Sequence, residues 1–392
     1  MSLRDSSGAR FAWTKRHALV AGAAAVLLAA GTATALDVSH PGAAHGAKTA
    51  HLASSTCTGP AGAAYVALAG YQSFDAIDTS NCSYIQNYNV GDPQVPGDSG
   101  DYNYASSPQG IAIHGNTLYF ADTGNDMVSI IDAATLDPKN YNPAETDIHV
   151  GINPDDLAVS PDGTQLWVAD TGPQTGPGAP TNIEVISTAT DDVTATLSLP
   201  SAPEQVAFSP SGATVYVTTA AGLWVFNTAT HQVTSVIRGL GDPHGIAVSP
   251  DGSTVYVTNT ADNVVEVIDA ATAKVTGTIP VGQLPWGLAL SAKGGTLYVA
   301  DPDSNQVSVI STATDTVTST ISLAGGPDTL ALAPDGSQLW ICGLTSSILT
   351  VVNTSNDSVV GSLNLGGDGA NSGDGMDPTD IVMTTTPTPG GS

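Results

Sequence analysis

Seven prolines recur along the chain, at Pro108, Pro154, Pro203, Pro243, Pro285, Pro327 and Pro378. The residues that follow them are Gln109, Asp155, Glu204, His244, Trp286, Asp328 and Thr379, six residue types in seven copies. A position that only shaped a turn would be expected to repeat one small residue. The variety therefore marks these seven as candidate ligand-binding residues. Asp155, Glu204 and Asp328 offer hard carboxylate oxygens of the kind that hold Ca²⁺ or Mg²⁺, and His244 would move that preference toward a transition metal. His244 is also the candidate general base if the chain is an enzyme, with the three carboxylates as its metal ligands. Trp286 offers an apolar stacking surface for a protein or glycan.

These residues are useful together only if the elements that carry them converge. The chain supplies such elements as a repeat. SPDGTQLWVAD (160–170), SPSGATVYVTT (209–219), SPDGSTVYVTN (249–259), SAKGGTLYVAD (291–301) and APDGSQLWICG (333–343) share a turn followed by an aromatic-led strand. The aromatics Tyr119, Trp167, Tyr216, Tyr256, Tyr298 and Trp340 are spaced 48, 49, 40, 42 and 42 residues apart, and Tyr65 lies 54 residues before the first. Each copy continues through an alternating strand such as VVEVIDA, then a turn and VTGTI, and each is preceded by a proline-led segment such as PHGIAV. Four short Val-, Ile-, Thr- and Tyr-rich strands per unit of about 40–45 residues are the blade of a β-propeller. The expected fold is all-β and seven-bladed, over residues 62–384. The first blade lacks an inner strand and the tail PTDIVMT (378–384) lacks a blade, so Asp380–Thr384 is expected to close the ring in the N-terminal blade.

Tyr256-Val257-Thr258-Asn259, with Tyr216-Val217-Thr218-Thr219 and Tyr298-Val299-Ala300-Asp301, resembles the YVTN-repeat β-propellers of bacterial and archaeal surface proteins. The resemblance implies a secreted or surface-associated propeller and is nearly silent on activity. PHGIAVSPDG (243–252) is also similar to inner-strand segments of lactonase-type and streptogramin-lyase-type propellers. Only one of the present copies offers His, and their cation-holding His and Arg sets are not evident.

Alternation of the chain between the two ends of the ring puts the proline-following residues at one end, here called the top. The long segments 92–107, 172–181 and 366–377 are expected there too, and long loops without structure of their own are often binding surfaces. A fourth, 137–147, falls near the opposite turns. Asp122, Asp126, Asp170, Asp262, Asp301 and Asp303 would add to a negative funnel. Gly97-Asp98-Ser99-Gly100 matches a serine-protease motif without partners and reads as coincidence. HExxH, GxSxG, P-loop and CxxC motifs are absent from the sequence.

Three cysteines allow three pairings. Cys57 and Cys82 both fall on the bottom of the first blade, so Cys57–Cys82 is the expected disulfide and Cys342 a buried free thiol. Residues 1–35 read as a cleavable export signal, with a basic start, an Ala-rich apolar run and Ala33-Thr34-Ala35. Residues 36–61 read as a flexible lead-in and 385–392 as a disordered tail. No segment of the remainder is apolar enough to span a bilayer.

The 392 residues carry 36 acidic against 9 basic groups, a net charge of −27. Such a balance argues against nucleic acid and anionic membranes, which require basic patches. The expected function is non-enzymatic recognition of a protein, glycan or envelope component by a monomer, secreted or associated with the cell wall. The alternative is a metal-dependent lyase or lactonase at the channel mouth.

Overall fold

Alternating β-branched and aromatic residues between Asp-, Gly- and Pro-containing turns form strands along the whole repeat region. The computed structural model describes residues 61–69, 73–89, 107–136, 147–172, 181–343, 346–365 and 377–385. Its strands make seven antiparallel sheets of four, a seven-bladed β-propeller. The helical element among the described residues is one 3-10 turn, Pro302–Ser304.

Blade 1 joins Ala63–Ala69, Ser73–Asp78 and Ser83–Asn89 to the C-terminal strand Asp377–Thr384. That strand runs antiparallel to Ala63–Ala69, with Val382 opposite Tyr65 and Thr384 opposite Ala63. The expected closure is therefore present, and it gives the first blade its inner strand. Blades 2 to 5 start at their prolines with Pro108–His114, Pro154–Val159, Pro203–Phe208 and Pro243–Val248. Blade 7 does the same with Pro327–Leu332. Blade 6 differs, because its inner strand is only Leu288–Leu290. There the Gly287 N–H turns away to the Asp328 carbonyl of blade 7, at 3.1 Å.

The core lies between blades rather than within them. Trp167 of blade 3 packs edge-on to Phe226 of blade 4, with ring centroids 5.6 Å apart. Trp340 of blade 7 shares a cluster with Val66, Leu68 and Ile77 of blade 1. Each repeat thus buries its apolar face only against its neighbours, as stacked repeats must.

The S-P-D-G turn joins the first and second strands of a blade. Ser160 Oγ donates to Asp162 Oδ1 at 2.6 Å and accepts the Thr164 and Gln165 amides at 3.1 and 3.0 Å. The glycine is required because the backbone turns left-handed there, with φ of 72° at Gly163 and 71° at Gly252. The motif is a structural turn.

Cys342 is a free, fully buried thiol, and burial pushes its pKa far up. Cys82 is buried and not free, whereas Cys57 lies outside the described residues. So do the export signal, the lead-in up to residue 60, the segments 90–106, 137–146, 173–180 and 366–376, and the end of the tail from 386.

Candidate functional site

Because each inner strand enters the ring at its proline, the residues just after the prolines are delivered to one end of the central channel. Gln109, Asp155, Glu204, His244, Trp286 and Thr379 line a single funnel there, with an empty volume of about 320 Å³ that includes its open mouth. Asp328 is absent from that lining. Its side chain is buried, 1% exposed.

Two of these side chains form a stack. The rings of His244 and Trp286 lie 3.6 Å apart between centroids at an angle of 32°. Nε2 of His244 is 3.8 Å from Oε2 of Glu204, so the imidazole sits between an indole and a carboxylate. A YVTN-like threonine positions each partner of the stack. Thr218 of blade 4 accepts the Gln205 amide at 3.1 Å and donates to the His244 carbonyl at 2.7 Å. Thr258 of blade 5 accepts the Gly245 amide at 2.7 Å and donates to the Trp286 carbonyl at 2.9 Å. The corresponding positions Ala121, Ala169 and Ala300 carry no hydroxyl.

Sequence reasoning missed the next position along. Gly110, Asp156, Gln205, Thr329 and Asp380 also face the funnel. Here the residue either reaches the following blade or makes room for it. Asp156 Oδ2 accepts the Val206 amide at 2.8 Å, Gln205 Oε1 that of Ile246 at 2.9 Å, and Asp380 Oδ2 that of Ile111 at 3.0 Å. Where the residue is glycine, the next backbone fills the space. A Cβ at Gly245 would stand 2.3 Å from the Trp286 carbonyl oxygen, and one at Gly287 would stand 2.4 Å from that of Asp328. The available signal was the alternation of Gly with Asp, Gln and Thr two residues after each proline.

The funnel is acidic. Asp155, Asp156, Glu204 and Asp380 line it, and among the described residues neither Lys nor Arg does. Burial, together with repulsion from Asp380 and Asp155, raises the Asp156 pKa well above the ordinary carboxylate range, while the Val206 amide opposes the shift. The expected metal set of Asp155, Glu204 and Asp328 does not come together. Among the described residues, no group of three or more His, Cys, Asp or Glu side chains is placed to hold a metal ion. The turn aspartates also differ from expectation. Asp122, Asp170 and Asp301 are fully buried inside their blades instead of lining a rim.

The choice-of-anchor I domain profile matches residues 62–305. Among solved structures, a functionally unknown protein from Desulfotomaculum acetoxidans is 16% identical with a TM-score of 0.65, over 82% of this chain and 98% of that one. Hydrazine synthase from Kuenenia stuttgartiensis is 20% identical with a TM-score of 0.59, over 72% and 90%. A dihydro-heme d1 dehydrogenase in complex with DHE is 15% identical with a TM-score of 0.56, over 78% and 74%. At such identities these similarities speak to the fold alone. No curated protein matches the chain.

Proposed function

Because this chain belongs to the choice-of-anchor I domain family, we propose that it is a surface or secreted propeller that binds a partner, without catalysis, through the acidic mouth of its channel. The observation that carries this reading is the convergence of six dissimilar side chains on one funnel, with the His244–Trp286 stack beside four carboxylates. Varied chemistry gathered in one concavity is the usual form of a recognition site. The four carboxylates of the lining favour a cationic group on the partner, from a protein, a glycan or an envelope component. The YVTN resemblance, the export signal, a Cys57–Cys82 disulfide and a monomeric state belong to the same reading. No helix among the described residues is long and apolar enough to cross a membrane.

A second reading keeps His244 as the general base of a lyase or lactonase. It is favoured by Glu204, which lies close enough to orient the imidazole. Its metal-dependent form lacks support, because among the described residues no three such side chains are placed to hold a metal ion.

One experiment separates the two. Binding of an oligolysine peptide and of a chitosan oligosaccharide is measured by calorimetry for the full chain and for Glu204→Gln, Asp155→Asn and His244→Gln, alongside turnover of simple lactones. Loss of about tenfold in affinity for each carboxylate variant, with no turnover, supports the binding reading. Turnover abolished by His244→Gln would replace it with the enzymatic one, and unchanged affinity in all three variants would remove the funnel as the binding site.

A further inference from the structure

In blades 2, 3, 5 and 6 the end of the second strand and the third strand beside it hold a pair of buried polar residues. In blade 6 these are Asp301 and Ser308, and Ser308 Oγ donates to Asp301 Oδ2 at 2.6 Å. In blade 5 they are Asn259 and Glu266, and Asn259 Nδ2 donates to Glu266 Oε1 at 2.9 Å. Blade 2 places Asp122 with Ser129, again an acid with a hydroxyl. Each of these pairs has one residue able to donate and one able to accept.

Blade 3 breaks the rule. The same register positions hold Asp170 and Glu184, two acids. Asp170 is fully buried and Glu184 is 9% exposed. Neither oxygen of Asp170 meets a side-chain donor, nor does Glu184 Oε2, and the Gly151 amide is the one backbone donor that acts on the two carboxyls. Glu184 Oε1 accepts a long contact from Thr196 Oγ1, at 3.3 Å. Two buried carboxylates with unmet oxygens cannot both stay ionised without a neutralising species between them.

We propose that Asp170 and Glu184 share one proton, so that a carboxyl–carboxylate pair replaces the Asp301–Ser308 hydrogen bond and forms a pH-sensitive clasp between Gln165–Asp170 and Thr181–Ser187. The proton occupies the place of the serine hydroxyl hydrogen. Among the described residues the charges acting on Asp170 are Glu184 and, from blade 2, Asp126, both acids. Burial and those two acids raise the Asp170 pKa to about 8, and burial raises that of Glu184. A cation would neutralise the pair too, but the Gly151 backbone already lies against the Asp170 carboxyl. A Cβ there would stand 2.5 Å from Asp170 Oδ2, and the Gly151 amide acts on both carboxyls in the direction that a cation would.

A raised folded-state pKa sets the sign. The clasp contributes fully below the unfolded pKa of about 3.9 and weakens as pH rises toward about 8, because the native state then holds a proton that the unfolded state has released.

The test borrows the other blades' solutions. Asp170→Asn copies blade 5 and Glu184→Ser copies blade 6. Melting temperatures of the full chain and both variants are recorded from pH 5 to pH 9. The wild type is expected to fall by about 5 °C relative to each variant across that range. If one variant fails to fold, the other carries the comparison. The infrared band of a protonated carboxyl, present in the wild type at pH 6 and reduced by pH 9, gives a variant-independent reading. Parallel pH profiles for wild type and variants would overturn the shared proton. So would a rise in wild-type melting temperature with millimolar Ca²⁺ or Mg²⁺ at pH 9 that Asp170→Asn abolishes, since a cation would then hold the pair.

Discussion

The hydroxyl of Thr258 donates to the carbonyl of Trp286 at 2.9 Å, across the boundary between blades 5 and 6. The same oxygen accepts the Gly245 amide at 2.7 Å. One side chain thus ties the second strand of its blade to its own inner strand and to the mouth residue of the next. Thr218 does the same one blade earlier for His244. The two threonines of the repeat therefore place the two rings that stack.

Replacing Thr258 by Val keeps the shape and removes both bonds. The Gly245 amide and Trp286 carbonyl would be left buried, at a cost of about 1–3 kcal/mol. Chemical denaturation should show that loss, and indole fluorescence should shift as Trp286 leaves its stack. Unchanged emission would mean that the threonine does not hold the ring.

Ring closure depends on Asp380. It reaches the Ile111 amide of blade 2 while its strand pairs in blade 1. Asp380→Ala should cost about 1–3 kcal/mol in urea unfolding, whereas Asp380→Asn, which keeps an acceptor oxygen, should cost less. Equal stability of the two variants would deny the bond its role.

Asp156 should make the channel sensitive to alkali. Its pKa is raised in the fold, so its contribution is complete below the unfolded value of about 3.9 and declines as pH rises toward the folded one. Asp156→Asn removes the charge and retains an acceptor for Val206. At pH 8 the variant should melt above the wild type, and at pH 4 the difference should shrink. A gap independent of pH would show that Asp156 ionises as an ordinary carboxylate.

Two glycines should respond differently to alanine. Gly252 has φ of 71°, and the nearest atom to an added Cβ is 3.7 Å away, so only conformational strain of about 1 kcal/mol is expected. Gly245 has the Trp286 carbonyl 2.3 Å from its Cβ position, so the blades must part. Thermal melts should rank Gly245→Ala well below Gly252→Ala, and the reverse order would contradict the close approach of inner strands.

Cys342 should stay silent to thiol reagents in the native protein and react once denatured, because it is fully buried and its thiolate is strongly disfavoured. Labelling of Cys342 under native conditions, followed by peptide mapping, would show that blade 7 opens.

The strands, the repeat, the number of blades and the closing role of Asp380–Thr384 were all legible in the residue order. Those features follow from local alternation, turn residues and a regular spacing, all written over stretches of about 10 to 50 residues. The residue order also marked Gln109, Asp155, Glu204, His244, Trp286 and Thr379 as a set. What these residues meet follows from how the blades pack. That packing withdrew Asp328 into the wall, buried Asp122, Asp170 and Asp301 inside their blades, and turned Asp156 and Asp380 toward the channel. It also laid His244 on Trp286, 42 residues away in sequence, and Asp170 beside Glu184 across the 173–180 segment. Burial and pairing of a polar side chain depend on the neighbouring strand and blade, and no local pattern records which oxygen that neighbour leaves without a proton.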